Sequence, residues 1–600
     1  MLESKQKVIE KLKDDPLMPL RHSAEHVLHT AMQQLYPNLK KVMGPPIEDG
    51  FYFDFDLDEK VSPADFNKIE AQMQNIIDAD LSIIKHEVSL KEALEIFKDN
   101  QYKLDTIEAI KGRGEQVTLY SIGEKDDKDY DLDLCAGPHV KSTGEIKAFK
   151  LLSVAGAYYK GNENNKMLTR IYGTAFDSQE KLEQYLEYQE ELQNRDHRKI
   201  AKDLELYTIA DEVGPGLILW LPNGTIIRDE LEKWAKETEA KWGYERVATP
   251  HITKKRLFEI SGHLPYYSDD MYSPLDIDGE EYYLKPMNCP HHHMIYQSRI
   301  RSYKELPLRL TEFGQLYRYE KSGSLHGLMR VRGFCQNDAH IYVQPEKAVE
   351  EFVSVFNMHK YYYNALGLSE WWVVLGLRDP ANLRQKYHGD DEMWDKAEKM
   401  TIEALEKAEV KYTTDPGGAA HYGPKGDIFV KSVIGKEYAI GTVQLDLYMP
   451  QQFNLKYKDA DGEDKTPYVI HRAPLGSHER FIGFLIEHFA GAFPVWLAPE
   501  QIEIIPISNK HYDYATTLED QLKEQGLRAK TNLKDESMGA KIRDAQLRKV
   551  PYMLVVGDKE LENNNVSVRL RSGETHNNIE FNTFSDHVKS IYLTRSQSLW

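Results

Sequence analysis

The chain has 600 residues, with 76 lysines and arginines against 96 aspartates and glutamates, for a net charge of −20. That balance argues against a broadly nonspecific nucleic-acid binder but leaves room for a partner docked on a local basic patch. Only three cysteines occur, Cys135, Cys289 and Cys335, which excludes a disulfide framework, and no apolar run is long enough to cross a bilayer. The opening MLESKQKVIEKLKDD does not read as a signal peptide, so a cytoplasmic protein of about three or four domains is expected.

Residues 1–20 read as a charged lead-in ending near Asp14-Asp15-Pro16. From 21 to 176 the pattern mixes helix and strand: RHSAEHVLHTAMQQL is helical, Gly44-Pro45-Pro46 marks a turn, and FYFDFDL alternates as a strand. His22 and His26 are spaced i, i+4 on the helix, so their imidazoles share a face. Cys135 and His139 repeat that spacing in DLDLCAGPHV. Together the two pairs could make one site. A thiolate with three imidazoles can hold zinc, and the same groups can work metal-free as a base and water-positioning cluster. A polar helix is expected over 177–203 as a connector between domains. Asp177 and Glu180 would cap its start, and Leu182 and Leu186 would share one face.

From 204 to 499, many strands and frequent turns predict an α+β domain on an antiparallel sheet. KPMNCPHHH, CQNDAHIYV and VIHRAPLGSHERF hold Cys289, His340 and His471. Spacing does not pair these three, and His291, His292 and His293 are equally available as ligands. The alternation from Leu308 to His340 predicts two antiparallel strands joined at Ser322-Gly323-Ser324. Arg309, Arg318, Arg330 and Arg332 would form a cationic face, with Glu312 and Glu320 among them. A guanidinium fork matches phosphate oxygens, so the hairpin reads either as a nucleotide phosphate clamp or as a solvated strand pair with surface ion pairs. Arg480 falls in the first turn of a helix after Gly476-Ser477. That is a good place for phosphate, although the adjacent Glu479 would also suit a plain ion pair. Over 500–600, strands alternating with helices predict a small α/β module with parallel pairing. Its helix KIRDAQLRK carries Lys541, Arg543, Arg548 and Lys549, either an RNA-binding face or a solvated one.

YRYE (Arg318, Glu320) followed by GSLHGLMRVRGF resembles motif 2 of the class II aminoacyl-tRNA synthetases. GSHERFIGFLIE resembles their motif 3, and Pro250 in ERVATPHITKKRLFEISGH resembles the proline of motif 1 at the dimer interface, which implies a homodimer. KPMNCPHH, DAHIY, VIHRA and HYGPK are similar to the threonyl-tRNA synthetase family, from about residue 20 to the C-terminus. The family's small N-terminal ubiquitin-like domain is expected to be missing. The resemblance implies an editing domain over 21–176, a class II catalytic domain over 204–499 and an anticodon-binding domain over 500–600. It further implies ATP with Mg²⁺, L-threonine and tRNA(Thr) as substrates and partners, and one zinc held by Cys289, His340 and His471. Arg318 would grip the α-phosphate, Arg480 the γ-phosphate, and Glu320 the adenine end. Arg330, Gln336, Tyr422, Lys425, Gln444 and Ser477 match pocket positions, and Asp338 matches the acid that receives the substrate ammonium. His263 matches a histidine implicated in transfer to the tRNA ribose. His22, His26, Lys103, Asp133, Cys135 and His139 match the site that hydrolyses seryl-tRNA. Arg543, Lys549, Glu560 and Arg569 match anticodon-contacting positions. Four positions depart from the family: Ala439 replaces a glutamine near ATP, three histidines follow Pro290 instead of glycine-histidine, Lys549 replaces an arginine, and Asp535 stands where some relatives have asparagine.

The chemistry of threonine explains why such a protein needs two sites. Threonine and valine are nearly isosteric, and an apolar pocket separates such pairs by only about a hundredfold. A zinc with an open position can take the threonine amino and hydroxyl groups, and valine cannot supply the second. Serine also has a hydroxyl and lacks only a methyl, a difference worth about 1–3 kcal/mol, so a second, hydrolytic sieve is expected.

Overall fold

The computed structural model describes residues 15–162, 164–379, 381 and 386–600 and divides into two compact units, Met1–Glu190 and Glu191–Trp600. Most of the expected lead-in therefore lies outside the described residues. Among the described residues no helix is long and apolar enough to cross a membrane.

In the first unit, α1 (Met18–Leu35) begins before Arg21, where the domain was expected to start. Asp15 accounts for the earlier start: its carboxylate accepts the Leu17 N–H at 2.9 Å and pairs with Arg21 at 2.8 Å. There follow β1 (Lys40–Met43), β2 (Gly50–Asp56), α2 (Phe66–Asp78), β3 (Ile83–Glu87), α3 (Gln101–Arg113), β4 (Thr118–Ile122), β5 (Asp131–Leu134), β6 (Ala148–Tyr158) and β7 (Met167–Phe176). One antiparallel sheet runs β1-β2-β7-β6 and a second runs β3-β4-β5. Val27, Leu28 and Ala31 of α1 share a core with Phe51, Phe53 and Ile171. The polar residues of α1 are buried too, among them His22, Glu25, His26 and His29. A surface helix sends its polar stripe to water; this one turns it inward, where it walls a polar site.

Two helices, α4 (Gln179–Asn194) and α5 (His197–Asp203), replace the single connector expected over 177–203. The break falls at Asp196, which caps α5 by accepting the Arg198 N–H at 2.8 Å. At the start of α4 it is Ser178, not Asp177, that accepts the Lys181 N–H, at 3.3 Å. Leu182 and Leu186 do share one face, packed with Ala148 and Phe176.

The second unit is built, in chain order, from α6 (Pro222–Lys241), β8 (Glu245–Arg246), α7 (Cys289–Gln297), β9 (Leu308–Tyr317), β10 (Gly333–Val343), α8 (Ala348–Ala365), β11 (Trp371–Leu377), α9 (Asp391–Lys407), β12 (Tyr412–Pro416), β13 (Lys425–Lys431), β14 (Glu437–Asp446), β15 (Tyr468–Ala473) and α10 (His478–Phe489). Among the described residues these strands form an eight-stranded sheet ordered β8-β9-β10-β15-β14-β13-β11-β12. The pairing is antiparallel, as expected, except at the two ends, where β8/β9 and β11/β12 run parallel. Trp234 of α6, Phe356 of α8 and Phe484 of α10 share a core with Ala339, Ile341 and Val443 on the back of the sheet. The alternate residues of those strands face the other way and are free to build a site.

The back face also holds a buried ion pair. Arg472, with no exposed surface, meets Glu239 of α6 at 2.9 Å and the Tyr244 ring at 4.2 Å. Glu239 accepts further bonds from Asn337 at 2.9 Å and Thr311 at 3.2 Å, so β9, β10 and β15 are pinned to one helix. Replacing Glu239 by alanine leaves the Arg472 charge buried and unpaired. A loss of about 3–5 kcal/mol is expected, read from the urea midpoint.

The C-terminal part contains β16 (Ile502–Pro506), α11 (Tyr512–Glu524), β17 (Ala529–Thr531), α12 (Met538–Leu547), β18 (Tyr552–Val556), α13 (Asp558–Asn563), β19 (Asn565–Leu570), β20 (Thr575–Glu580) and α14 (Phe581–Thr594). Its sheet runs β17-β16-β18-β19-β20. β16 pairs parallel with β17 and β18, as predicted. β19 and β20 extend it with antiparallel pairing that sequence reading did not foresee.

Candidate functional site

Sheet register assembles the first site. His340 on β10 pairs with His471 on β15, His471 with Gln444 on β14, and Gln444 with Lys425 on β13. Directly paired residues share a face, so these four side chains form one row across the front of the sheet. Gln336 and Asp338 precede His340 at even steps and lie on the same face. The loop before α10 folds back so that Ser477 bridges to Gln336. Gly476 makes this fold possible: its φ is +50°, and a Cβ there would meet the Ile440 carbonyl oxygen at 2.4 Å.

Cys289, the first residue of α7, closes on this row. Its sulfur and one nitrogen from each of His340 and His471 lie within 4.8 Å of one another, and all three residues are buried. His471 Nε2 bonds Asp446 Oδ2 at 3.0 Å, which leaves Nδ1 for a ligand. Burial pushes the Cys289 thiol well up, so a bound cation is what would hold it as thiolate. One thiolate and two imidazoles with a fourth position open is donor chemistry that fits zinc. His291, His292 and His293 stand outside the group. His293 Nδ1 bonds the Tyr342 hydroxyl at 2.9 Å, and His292 touches His340 as a partner.

The cations of the hairpin sit differently from expectation. β9 ends at Tyr317 and β10 begins at Gly333, so Arg318, Arg330 and Arg332 belong to the connecting segment, not to a strand face. Arg309, which is on the strand, turns away to Glu351 at 2.5 Å. The connecting segment packs on α10 at Gly483, where a Cβ would meet Leu328 at 3.1 Å and Met329 at 3.2 Å. Arg480 donates to the Met329 carbonyl at 3.2 Å, and partial desolvation at the cleft wall, with the neighbouring Arg318 and Arg330, lowers its proton affinity. Glu320 pairs with Arg330 at 2.9 Å and Asp427 with Lys425 at 2.8 Å. An anion entering among three crowded guanidiniums relieves their repulsion.

Arg318, Glu320, Arg330, Gln336, Asp338, Tyr422, Lys425, Gln444, Ser477 and Arg480 all line one cleft with Cys289, His340 and His471. Ala439 lines it too. His263 does not. It has no exposed surface, its Nδ1 lies 2.7 Å from Ser261 Oγ and its Nε2 3.0 Å from Met287 Sδ, and Met287 is the residue that reaches the wall. Sequence reasoning also missed Asn288 and Asp446. Asn288 Nδ2 bonds Asp338 Oδ2 at 3.0 Å and packs where a Cβ on Gly314 would lie 2.3 Å away. Both had a signal: Asn288 directly precedes Cys289, and Asp446 follows Gln444 by two on one strand face. Burial raises the Asp338 carboxyl, and a cation beside it would restore its charge.

The second site lies within the first unit. His22, His26, Cys135 and His139 each offer an atom within 4.8 Å of the others. Cys135 Sγ lies 3.3 Å from His22 Nε2 and 3.2 Å from His139 Nε2. Burial pushes the Cys135 thiol up to about 12 and the imidazoles of His22 and His139 down to about 4 and about 2. The cluster is therefore neutral at pH 7. Behind it Lys103 bonds Asp133 at 2.8 Å. His29, with Asp131 at 2.7 Å and Glu25 at 3.4 Å, extends this charged layer. The sequence signal for it was the third histidine of HSAEHVLH and the alternation of Asp131, Asp133 and Cys135.

On the C-terminal sheet, two of the four expected helix cations are structural. Lys541 is buried and donates to the Asn532 carbonyl at 3.0 Å. Arg548 pairs with Asp544 at 3.2 Å and also with Glu500 and Glu503. Arg543 and Lys549 remain exposed. Glu560 accepts bonds from Gly557 N at 3.0 Å and Ser567 Oγ at 2.8 Å. Arg569 pairs across the sheet with Met553, which packs on α12, so it lies on the face that α12 covers, and its Nε is buried with no hydrogen-bond partner among the described residues.

Comparison with known proteins connects these sites. Residues 272–489 match the family described as tRNA synthetase class II core domain (G, H, P, S and T), and residues 501–591 match an anticodon binding domain. Residues 117–172, which hold Cys135 and His139, match the threonyl and alanyl tRNA synthetase second additional domain. The chain is 48% identical over 573 residues to the threonine–tRNA ligase of Staphylococcus epidermidis, covering 95% of this chain and 88% of that protein. It is 47% identical, with the same coverage, to that of Staphylococcus aureus. In three dimensions it is similar to the RNA binding domain of threonyl-tRNA synthetase from Cryptosporidium parvum, with a TM-score of 0.62 and 34% identity over 66% of this chain and 98% of that one.

Proposed function

The chain belongs to the threonine–tRNA ligases, and from that membership we propose that it activates L-threonine with ATP, transfers it to the 3′ end of tRNA(Thr) and hydrolyses seryl-tRNA(Thr). The observation that carries this reading is the convergence of Cys289, His340 and His471 at one end of a cleft whose other wall is arginine-rich. Zinc held by these three would leave room for the amino and hydroxyl groups of threonine, the second of which valine lacks. Asp338, buried and held at one oxygen by Asn288, would accept a hydrogen bond from the substrate amino group. Arg318 and Arg480 pair with phosphate oxygens of ATP, which binds with Mg²⁺, and stabilise the charge that develops as the threonine carboxylate attacks the α-phosphorus. Gln336, Lys425, Gln444 and Ser477 orient the two substrates, with Tyr422, whose hydroxyl donates to Gln444. Glu320 and Arg330, paired with each other, flank the adenine end, where Ala439 removes one polar contact available to relatives. His263 reaches the reacting ribose only through a shift of Met287, so its relay role requires motion on tRNA binding.

In the editing site, the neutral imidazoles of His22, His26 and His139 can position the attacking water through hydrogen bonds, and the Cys135 thiol can hand a proton to the leaving ribose oxygen. Lys103 and Asp133 hold the charged layer behind them. Cys135→Ala is expected to lose seryl-tRNA deacylation by about 10²–10⁴-fold while threonylation continues; deacylation at the wild-type rate would remove Cys135 from the reaction. For the anticodon, Arg543, Lys549 and Arg569 supply the exposed or unpaired cations, with Glu560 alongside. The chain is further proposed to work as a homodimer through the segment carrying the exposed Pro250, in a cytoplasm that keeps its three free cysteines reduced. Pyrophosphate exchange into ATP, run with each amino acid in turn, tests the whole reading: threonine must support it, and better exchange with serine or proline would refute it.

A further inference from the structure

Behind the candidate metal ligand His340 runs a chain of hydrogen bonds from His292 through Glu312 to Thr249. Glu312, on β9, is buried, and its carboxylate is drawn below the usual range, against the pull of burial, by its hydrogen bonds to His292 and Thr249 and by the Lys285 charge. It accepts the Thr249 N–H at 3.1 Å and the Thr249 hydroxyl at 2.8 Å, with Lys285 Nζ at 3.5 Å. Lys285 in turn donates to the Thr249 hydroxyl oxygen at 2.6 Å. His292 Nε2 lies 3.3 Å from Glu312 Oε1, and His292 Nδ1 lies 2.8 Å from His340 Nδ1.

We propose that Glu312 and His292 are positioning residues that fix the tautomer of His340, and that Thr249 anchors them. An ionised carboxylate only accepts, so Nε2 of His292 donates to Glu312, which leaves Nδ1 of His292 as the acceptor facing His340. That acceptor can be satisfied only if His340 carries its proton on Nδ1. The lone pair of His340 is then on Nε2, free for a metal. His471 reaches the same condition by a shorter route, since Asp446 takes its Nε2–H directly. Carboxylate partners of this kind orient ligand imidazoles and raise their basicity. The far end of the relay is Thr249, next to Pro250, so a ligand of the metal is tied through three side chains to the segment that resembles motif 1. This inference rests on the zinc reading above.

The test is zinc affinity, measured by competition with a chelator on the full-length protein. If wild-type protein holds no zinc, the metal reading itself fails. If it does, Glu312→Gln and His292→Phe are expected to weaken zinc by about 10–100-fold, and Thr249→Val to weaken it less, in the same direction. A purely structural role would lower thermal stability without moving metal affinity. Cobalt substituted for zinc adds a second readout, because His292→Phe should shift its visible absorption bands while Cys289 remains bound. Unchanged zinc affinity in Glu312→Gln, or in Thr249→Val should the first variant fail to fold, would overturn the relay.

Discussion

Cys289→Ala should lose zinc and threonine-dependent pyrophosphate exchange together. The residue is 2% exposed at the start of α7, and the two ligands it joins sit on neighbouring strands. Removing the thiolate leaves two imidazoles, and the small alanine side chain cannot close the gap. Changes to partners one layer further out already cost 10–100-fold in metal affinity or activity, so loss of a ligand should exceed about a hundredfold. The fold should survive, because Tyr296 and Ile295 of α7 keep their packing in the core that Cys289 shares. Metal content and exchange measured on the same preparation decide the matter: full zinc in the variant would move the metal elsewhere, and full exchange without zinc would end its role in threonine selection.

Arg480→Ala should lower exchange by about 10²–10³-fold, the usual effect of deleting one preorganised donor to developing charge, with zinc content unchanged. Arg480 lines the cleft at the start of α10, and the partial desolvation of its guanidinium with the nearby Arg318 and Arg330 lowers its proton affinity. It gains most from an incoming phosphate, so its loss should fall on kcat more than on the KM for threonine. Lysine should rescue poorly, because a point charge lacks the planar fork. Ser477 still caps α10 through the Arg480 N–H, a main-chain contact that the substitution leaves intact. An exchange rate close to wild type would show that the cleft binds its anion elsewhere.

Part of this was legible beforehand because it is local. The strand alternation of Leu308–Tyr317 and the helix spacing of His22 and His26 follow from residue periodicity alone. Other expectations failed where a distant partner intervened. Lys541 and Arg548 look like an RNA-binding pair in KIRDAQLRK, yet one is buried under Asn532 and the other is claimed by Glu500 and Glu503. The cations of the hairpin were assigned to a strand face, but the strands end before them and the connecting segment carries them. The connector over 177–203 broke at Asp196 because that carboxylate caps a new helix better than it continues an old one.

Sequence by itself determined the inventory: which donors exist, which segments alternate, and, through resemblance, which of them act together. It could not determine that His292 contacts His340 from outside the group formed by Cys289, His340 and His471, or that His263 stands one layer behind the cleft wall. Those facts depend on which residues face one another across β9, β10 and β15, and that register is set by packing between segments far apart in the chain. A histidine has two nitrogens and no fixed role until its neighbours are placed. Only the tertiary structure supplied Glu312 on one side of His292 and His340 on the other.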